Sequence, residues 1–127
     1  ADRLKVYIHF MFEEFEGKIE KMKKVPLDVM RQKLLSVKGI GPETADSILL
    51  YALGKPVFVV DAYTKRILSR HGILSEKADY HEVRAFFMDH LVHDTALFNE
   101  FHALLVHLGK WVCKKEPLCG ECPLHGI

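Results

Sequence analysis

Residues 35–65 read LSVKGIGPETADSILLYALGKPVFVVDAYTK, and this stretch decides the fold. Apolar residues at helical spacing lead up to Lys38. Glycines follow at Gly39 and Gly41, and Pro42 then opens a second helix, where its missing N–H costs nothing. Two glycines around one apolar residue let the backbone turn sharply, so that free amides can face a phosphate oxygen. The pattern predicts a helix-hairpin-helix, with an ordinary αα-corner as the alternative.

A short run of β-branched and aromatic residues, 56–60, follows the second helix and places Asp61 at the start of another helix. Such residues favour extended backbone, but no second strand of similar quality could pair with them, so we expect a buried extended linker. Two further motifs complete the chain: HALLVHLGKWVC at residues 102–113 and CKKEPLCGEC at residues 113–122.

Together these motifs resemble the helix-hairpin-helix DNA glycosylases, the endonuclease III superfamily, over almost the whole chain. The resemblance implies base-excision repair of double-stranded DNA that contains a damaged base. It also implies an all-α, endonuclease III-like fold of about six helices with a C-terminal cysteine metal loop.

The resemblance divides the chain into two parts. Residues 1–58 correspond to the back half of a six-helix barrel domain that includes the hairpin, and residues 59–127 to a C-terminal helical domain. The family has further helices before the point that corresponds to Ala1. Either the chain is a fragment, or the missing segment lies elsewhere.

Length and composition limit the classes of protein that the chain can form. Its 127 residues, 49% of them hydrophobic and 28% charged, can bury one small core or slightly more. The net charge of +1 predicts that any attraction to DNA is local. No apolar run reaches the roughly 18 residues of a membrane span, so we expect an intracellular protein. The resemblance implies a protein that is monomeric at full length and associated with the nucleoid in a prokaryote, or located in the nucleus of a eukaryote.

Helical spacing predicts the remaining elements. A helix over residues 3–16 carries an apolar face that should point to the core, and Gly17 ends it. Four lysines between positions 18 and 24 predict a solvated loop, with a phosphate contact as the alternative. Gly54 and Gly72 should each follow the end of a helix. Asp79 should cap the next one, and the longest helix should run directly into Cys113.

Asp61 is the candidate catalytic residue, because the resemblance aligns it with the family's catalytic Asp. Cleavage of an N-glycosidic bond develops positive charge on the sugar, which an ionised carboxylate stabilises. An Asp at a helix start accepts backbone N–H bonds and therefore stays ionised at neutral pH. The alternative is that Asp61 only caps the helix, through the amide of Tyr63 or Thr64. Both roles can coexist.

Glu43 departs from part of the family. Members that also cut the DNA backbone carry a Lys two residues after the second hairpin glycine, and this Lys forms a Schiff base with the sugar. A carboxylate cannot form that adduct, so Glu43 favours a glycosylase without lyase activity. The run GIGPETADSIL most resembles the branch that removes 3-methyladenine and related alkylated purines. Alternatively, Glu43 is only a favourable acid in the first helical turn.

The hairpin supplies the candidate DNA contacts. Its backbone amides should bind a phosphate, with neighbouring side chains as helpers; the candidate residues are Lys38, Gly39, Ile40, Gly41 and Thr44. In the family, such hairpins often hold a monovalent cation between carbonyls and phosphate.

Cys113, Cys119 and Cys122 read C-x5-C-x2-C and suit a metal site better than a disulfide framework. Related glycosylases bind a 4Fe–4S cluster through C-x6-C-x2-C-x5-C. The first interval here is one residue short, and a fourth cysteine would fall one position beyond Ile127. The resemblance therefore implies a 4Fe–4S cluster whose fourth ligand is not in this chain. Zinc bound by the three cysteines and His125 is the alternative.

Two other functions remain open at this point. One is a glycosylase for mispaired thymine or uracil or for an oxidised pyrimidine, because one acid and one hairpin do not fix the base. The other is a non-catalytic DNA-binding module. The remaining histidines show no partner pattern and are expected at the surface or the core edge: His90, His93, His102 and His107.

Overall fold

The computed structural model describes residues 2–127, and seven α-helices are found in them. Their bounds are α1 Asp2–Phe15, α2 Ile19–Lys23, α3 Leu27–Leu35, α4 Pro42–Ser47, α5 Ala62–Arg70, α6 Tyr80–His90 and α7 Thr95–Trp111. One π-helical turn, Ile48–Ala52, continues α4, and one 3-10 turn spans Cys119–Glu121. These residues contain no strand, so the prediction of an all-α fold is confirmed, with one helix more than the expected six or so.

The chain forms two compact units, one that ends at Val59 and one of Val60–Ile127. In the first unit, the buried residues Met22, Met30, Leu34 and Leu49 are fully inaccessible to solvent. In the second, the core is built around Phe98. Most of its other buried apolar residues come from three helices: Ile67 and Leu68 of α5, Val83 and Phe87 of α6, and Leu105 and Leu108 of α7.

Most helix ends lie where the local signals predicted them. Gly54 and Gly72 adopt positive φ values of 64° and 68°, and each directly follows the C-cap residue of its helix, Leu53 or His71. Asp79 caps α6 by accepting a hydrogen bond from the amide of Glu82 at 2.9 Å. Residues 57–60 are buried and belong to neither helix nor strand, as expected of a linker. Within residues 2–127, every helix falls short of the length and apolar character that a bilayer crossing requires.

The prediction that α1 turns its apolar face to the core is wrong. Only Phe15, at its last position, is buried, whereas Leu4 is 61% and Phe12 64% exposed. Helical spacing reveals that residues share a face but not whether another element covers that face. In the part of the chain that the structure describes, no element covers it.

The lysine-rich connection is also not the predicted loop. It contains the short helix α2, and Met22 in the middle of α2 is completely buried. The lysine side chains project outward, as Lys21 shows by reaching the exposed Glu16 at 2.6 Å. One apolar side chain among the lysines therefore anchors this segment, since burying a Met stabilises by roughly 1.5–3 kcal/mol.

A buried ion pair joins α3 to α4. Nε of Arg31 lies 2.8 Å from Oδ1 of Asp46, and Nη2 lies 3.2 Å from Oδ2, which gives a two-pronged contact. The side chain of Asp46 is completely inaccessible, and that of Arg31 is 11% exposed. Because α4 begins at the hairpin, this pair fixes the helix that follows the glycine turn.

Replacing Asp46 by Leu should lower the free energy of unfolding by about 3–5 kcal/mol, because Arg31 loses its carboxylate partner inside the protein. Urea unfolding followed by circular dichroism measures the loss. Lys33→Gln is the matched control: it removes the exposed pair between Lys33 and Glu14, at 3.5 Å, and should cost less than about 1 kcal/mol. Equal losses in the two variants would show that burial of the pair is unimportant.

Candidate functional site

Asp61 begins α5 and caps it. Its Oδ1 accepts two hydrogen bonds from Thr64, from the backbone N–H at 2.9 Å and from the hydroxyl at 3.0 Å. Backbone φ and ψ of −125° and −178° make Asp61 an extended residue just before the helix, as an N-cap requires. The capping interpretation is therefore confirmed. It leaves the catalytic prediction open, because one carboxylate can serve both purposes.

The second carboxylate oxygen of Asp61 contacts another helix. Nε2 of His102, on α7, lies 3.0 Å from Oδ2. An ionised carboxylate can only accept hydrogen bonds, so Nε2 must carry the proton and donate it to this bond. The side chains of both residues are mostly buried, with 13% of Asp61 and 15% of His102 exposed.

The environment of Asp61 favours its charged form. Burial raises the pKa of the carboxyl group, and this is the largest single effect. Hydrogen bonds from His102 and Thr64, with the charge attraction of His102, act in the opposite direction and together bring the pKa below the ordinary value of an aspartate. Asp61 is therefore ionised at neutral pH although it is mostly withdrawn from water.

Sequence reasoning assigned no partner to His102, although one signal was present. His102 stands four residues after Phe98, three before Leu105 and seven before Gly109, and these three neighbours are all buried in α7. A polar side chain on the buried face of a helix needs a hydrogen-bond partner. His90 and His93, by contrast, are exposed, and a ring nitrogen of each lies within hydrogen-bonding distance of a nearby backbone carbonyl, at 2.6 Å and 2.7 Å.

Helices α5 and α7 approach very closely beside this pair. A Cβ atom added to Gly109 would lie 2.6 Å from the Cβ of Tyr63, so α7 can come this near only without a side chain at that position. Gly109 and His102 are seven residues apart and share one face of α7. The close approach at Gly109 thus brings His102 within hydrogen-bonding distance of Asp61.

The hairpin has two glycines with different requirements. Gly39 has a φ of 93°, and a Cβ there would meet the side chain of Arg3 at 2.9 Å. Gly41 has a φ of −91°, and nothing lies within 4 Å of its Cβ position. The turn therefore needs glycine at position 39. The open space at Gly41 is where an external group could approach the backbone.

Some of the backbone N–H groups of the turn already donate hydrogen bonds within the protein. The amide of Ile40 donates to the carbonyl of Val37 at 3.1 Å, so it is used within the turn. Among residues 2–127, no partner is found for the amides of Gly39 and Gly41. The phosphate-binding prediction for the backbone of this turn thus rests on these two residues.

The remaining residues predicted to act with the hairpin are accessible. Lys38, Glu43 and Thr44 are all exposed, Lys38 within the turn and the other two in the first turn of α4. They belong to the first compact unit, whereas Asp61 belongs to the second.

Cys113, Cys119 and Cys122 line one cavity of about 350 Å³ in the second unit, and His125 lines it as well. Two of the sulfur atoms accept hydrogen bonds: Nη1 of Arg70 lies 3.4 Å from Sγ of Cys113, and the amide nitrogen of Leu124 lies 3.4 Å from Sγ of Cys122. Within residues 2–127, however, no three His, Cys, Asp or Glu side chains are gathered closely enough to hold a metal ion.

The donor chemistry of this cavity nevertheless fits the groups that the sequence implies. Three thiols would supply three of the four ligands of a 4Fe–4S cluster, and three thiols with an imidazole would suit zinc. Binding would require the loop between Cys113 and Cys122 to draw its sulfur atoms together. Cys119, which is exposed, has room for that movement.

Two arginines of α5 hold the start of this loop. Nη2 of Arg66 donates to the carbonyls of Gly109 at 2.7 Å and Cys113 at 2.5 Å. Arg70 donates to the carbonyls of Lys114 and Lys115. These contacts satisfy carbonyl groups at and beyond the end of α7, which have no partner within the helix itself.

The chain is similar to DNA repair enzymes of archaea. It is 48% identical, over 126 residues, to a Methanocaldococcus jannaschii protein named provisionally as a DNA repair glycosylase; the match covers 98% of this chain and 57% of that protein. It is 34% identical over 129 residues to a thymine/uracil-DNA glycosylase of Pyrobaculum aerophilum, covering 98% of this chain and 53% of that protein. No model of a known protein family matches the sequence.

Solved structures share the fold. An endonuclease III trapped as a covalent intermediate with DNA superposes with a TM-score of 0.78 and 23% identity, over 97% of this chain and 54% of that one. The Helicobacter pylori 3-methyladenine DNA glycosylase bound to 1,N6-ethenoadenine superposes with a TM-score of 0.73 and 32% identity, over 86% of this chain and 54% of that one. The chain thus spans about half the length of the proteins that it matches.

Proposed function

The chain belongs to the endonuclease III superfamily of helix-hairpin-helix DNA glycosylases, and on this basis we propose that it supplies the hairpin and the catalytic aspartate of a base-excision-repair glycosylase. The observation that carries the proposal is the state of Asp61. Its carboxylate is held in place by three hydrogen bonds, mostly withdrawn from water, and kept ionised at neutral pH.

The proposed reaction uses that charge directly. The bond between C1′ of the sugar and the base nitrogen breaks, and its electron pair leaves with the base. Positive charge develops on C1′ and the ring oxygen. The carboxylate of Asp61 stabilises this charge at short range, in a site from which water is mostly excluded. The oxygen of a water molecule then bonds to C1′, and the water releases one proton. The products are a free base and an unbroken strand with an abasic sugar.

We propose that the enzyme does not cut the strand. Strand cleavage in this family depends on an amine that attacks C1′ and forms a Schiff base. The position that would supply the amine holds Glu43, an exposed carboxylate. Water is therefore the proposed nucleophile.

Alkylated purines such as 3-methyladenine are the proposed substrates. An alkylated purine carries positive charge and leaves readily, so a single carboxylate suffices for its release. The run GIGPETADSIL and the similarity to the Helicobacter 3-methyladenine glycosylase favour this class. Mispaired thymine or uracil is the second candidate, favoured by the similarity to the Pyrobaculum glycosylase over 98% of the chain.

The proposed grip on DNA is a phosphate bound at the turn by the amides of Gly39 and Gly41. The side chains of Lys38 and Thr44 lie exposed beside this turn and can reach the same strand. A monovalent cation at the hairpin would neutralise part of the phosphate charge. The near-zero net charge of the chain agrees with an attraction that is local.

The proposed resident group is a 4Fe–4S cluster, with Cys113, Cys119 and Cys122 as three of its ligands. Such a cluster would fix the loop that Arg66 and Arg70 already hold from one side. A zinc ion with His125 as the fourth ligand is the alternative for the same cavity.

Asp61→Asn should slow base release about a hundredfold or more, because the reacting sugar loses a preorganised negative charge. Asn caps helices nearly as well as Asp, so folding and lesion binding should persist. The measurement is single-turnover release of 3-methyladenine from DNA by the complete natural polypeptide that contains this chain. A rate equal to that of the unaltered enzyme would remove Asp61 from catalysis. Failure of the unaltered enzyme to release any of the candidate bases would favour a DNA-binding module instead.

The same assay tests the absence of strand cleavage. Borohydride should trap no covalent adduct with the unaltered enzyme, because Glu43 cannot form one. Glu43→Lys is the companion variant and should gain weak strand cleavage if position 43 faces the sugar. Efficient trapping by the unaltered enzyme would mean that a different amine attacks the sugar.

Gly41→Val should weaken binding to DNA of any sequence while leaving the fold intact, because its side chain would fill the open space in front of the turn. Gly39→Val is the contrasting variant: at a φ of 93° it should destabilise the protein itself. Fluorescence anisotropy with undamaged duplex, at one fixed salt concentration, gives the affinities. Unchanged affinity of Gly41→Val would contradict phosphate binding at the turn.

Protein that extends past Ile127 and is purified without oxygen should be yellow-brown, with broad absorption at about 400 nm, as expected of an iron–sulfur cluster. Iron and acid-labile sulfide should be found in equal amounts, and Cys119→Ser should reduce both. Lys114→Gln, which alters an exposed side chain of the same loop, should leave them unchanged. Stoichiometric zinc without iron would contradict the cluster and support the alternative with His125.

A further inference from the structure

We propose that His102 is a positioning residue for Asp61: its Nε2–H holds Oδ2 and so gives the carboxylate one fixed orientation for the reaction. The inference rests on the proposed function, since it concerns the same carboxylate. It adds a residue from α7 to a site that sequence reasoning assigned to the start of α5 alone.

The hydrogen bonds to Asp61 leave little freedom. A carboxylate has about four acceptor positions, two on each oxygen. Thr64 occupies both positions on Oδ1, and His102 occupies one on Oδ2. Within residues 2–127, one acceptor position thus remains, and it is on Oδ2. The atom that His102 holds is therefore the one still able to accept a hydrogen bond from water or to face positive charge on a sugar.

Thr64 alone would not fix that atom. It is three residues from Asp61 on the same helix and engages only Oδ1. With Oδ1 held by Thr64, the carboxylate could still pivot about Oδ1, and Oδ2 would then move. His102 is 41 residues away and belongs to α7, so its bond ties Oδ2 to a different element. The close approach at Gly109 keeps that element in place.

His102 also offsets the effect of burial on charge. With the side chain of Asp61 only 13% exposed, water does little to stabilise the carboxylate. His102 and Thr64 are the two residues whose side chains lower the pKa of Asp61 against that burial. Without His102, the carboxylate would keep most of its burial and lose one of three donors. Its pKa must then rise.

The test compares His102→Leu with His102→Gln. Gln can place its Nε2–H close to where the imidazole Nε2–H lies, whereas Leu removes the donor. His107→Leu is the control, because His107 is an exposed histidine on the same helix. Single-turnover base release is measured from low to neutral pH, together with the affinity for lesion DNA.

With His102→Leu, the maximal rate should fall about tenfold or more, the scale of one hydrogen bond to a charged group, while lesion affinity stays within about twofold. Release requires ionised Asp61, and losing a donor to the carboxylate raises its pKa. The acid side of the rate profile should therefore move to higher pH. With His102→Gln, the acid side of the profile should return to the pH of the unaltered protein. His107→Leu should leave it unchanged. The proposal would be overturned if the acid side of the rate profile lay at the same pH in both His102 variants as in the unaltered protein.

A second measurement does not depend on catalysis. Carbon-13 NMR of the side-chain carboxyl group of Asp61, in protein labelled at aspartate, gives its pKa directly. The pKa should be higher in His102→Leu than in the unaltered protein and in His102→Gln. An equal pKa in all three would overturn the positioning role even if base release were observed. A raised pKa in a protein that releases no base would support the contact and reject the proposed function.

Discussion

The close packing of α5 against α7 is the constraint on which the candidate active site depends. Gly109 lets the two helices approach until Tyr63 fills the place of a side chain on α7. At one end of this contact His102 reaches Asp61, and at the other Arg66 reaches the carbonyl of Cys113. Helix α5, nine residues long, thus joins the mostly buried carboxylate of Asp61 to the cysteine loop, and a change in the spacing of α5 and α7 would disturb both.

The same carboxylate serves structure and proposed chemistry because both need the same physical state. A helix cap is stronger when the capping group is charged, since the amides at a helix start carry partial positive charge. Stabilising a developing cation also needs a charged group. The bonds from Thr64 and His102 that preserve the ionised form of Asp61 against burial meet both needs at once. Confirmation of the cap is therefore no argument against catalysis.

Local signals in the sequence predicted most of the fold, whereas contacts between distant residues were not predictable from them. The glycine turn, the caps at Asp61 and Asp79 and the helix ends at Gly54 and Gly72 each depend on a few neighbouring residues. The exposure of α1 and the burial of Met22 depend on which surfaces meet, and spacing along one helix does not contain that information. The bond between His102 and Asp61 spans 41 residues, and only the buried position of a polar side chain hinted at it.

The two glycines of the hairpin motif are needed for different reasons. Glycine at position 39 is needed to form the turn, because the backbone there is in the left-handed region and Arg3 crowds the Cβ position. Glycine at position 41 is not needed by the folded chain, since its backbone suits any residue and its Cβ position is open. A glycine without a structural reason is best explained by something that approaches the backbone from outside. We propose that the phosphate of a DNA strand takes this position, because two amides without a partner among the described residues belong to the same turn.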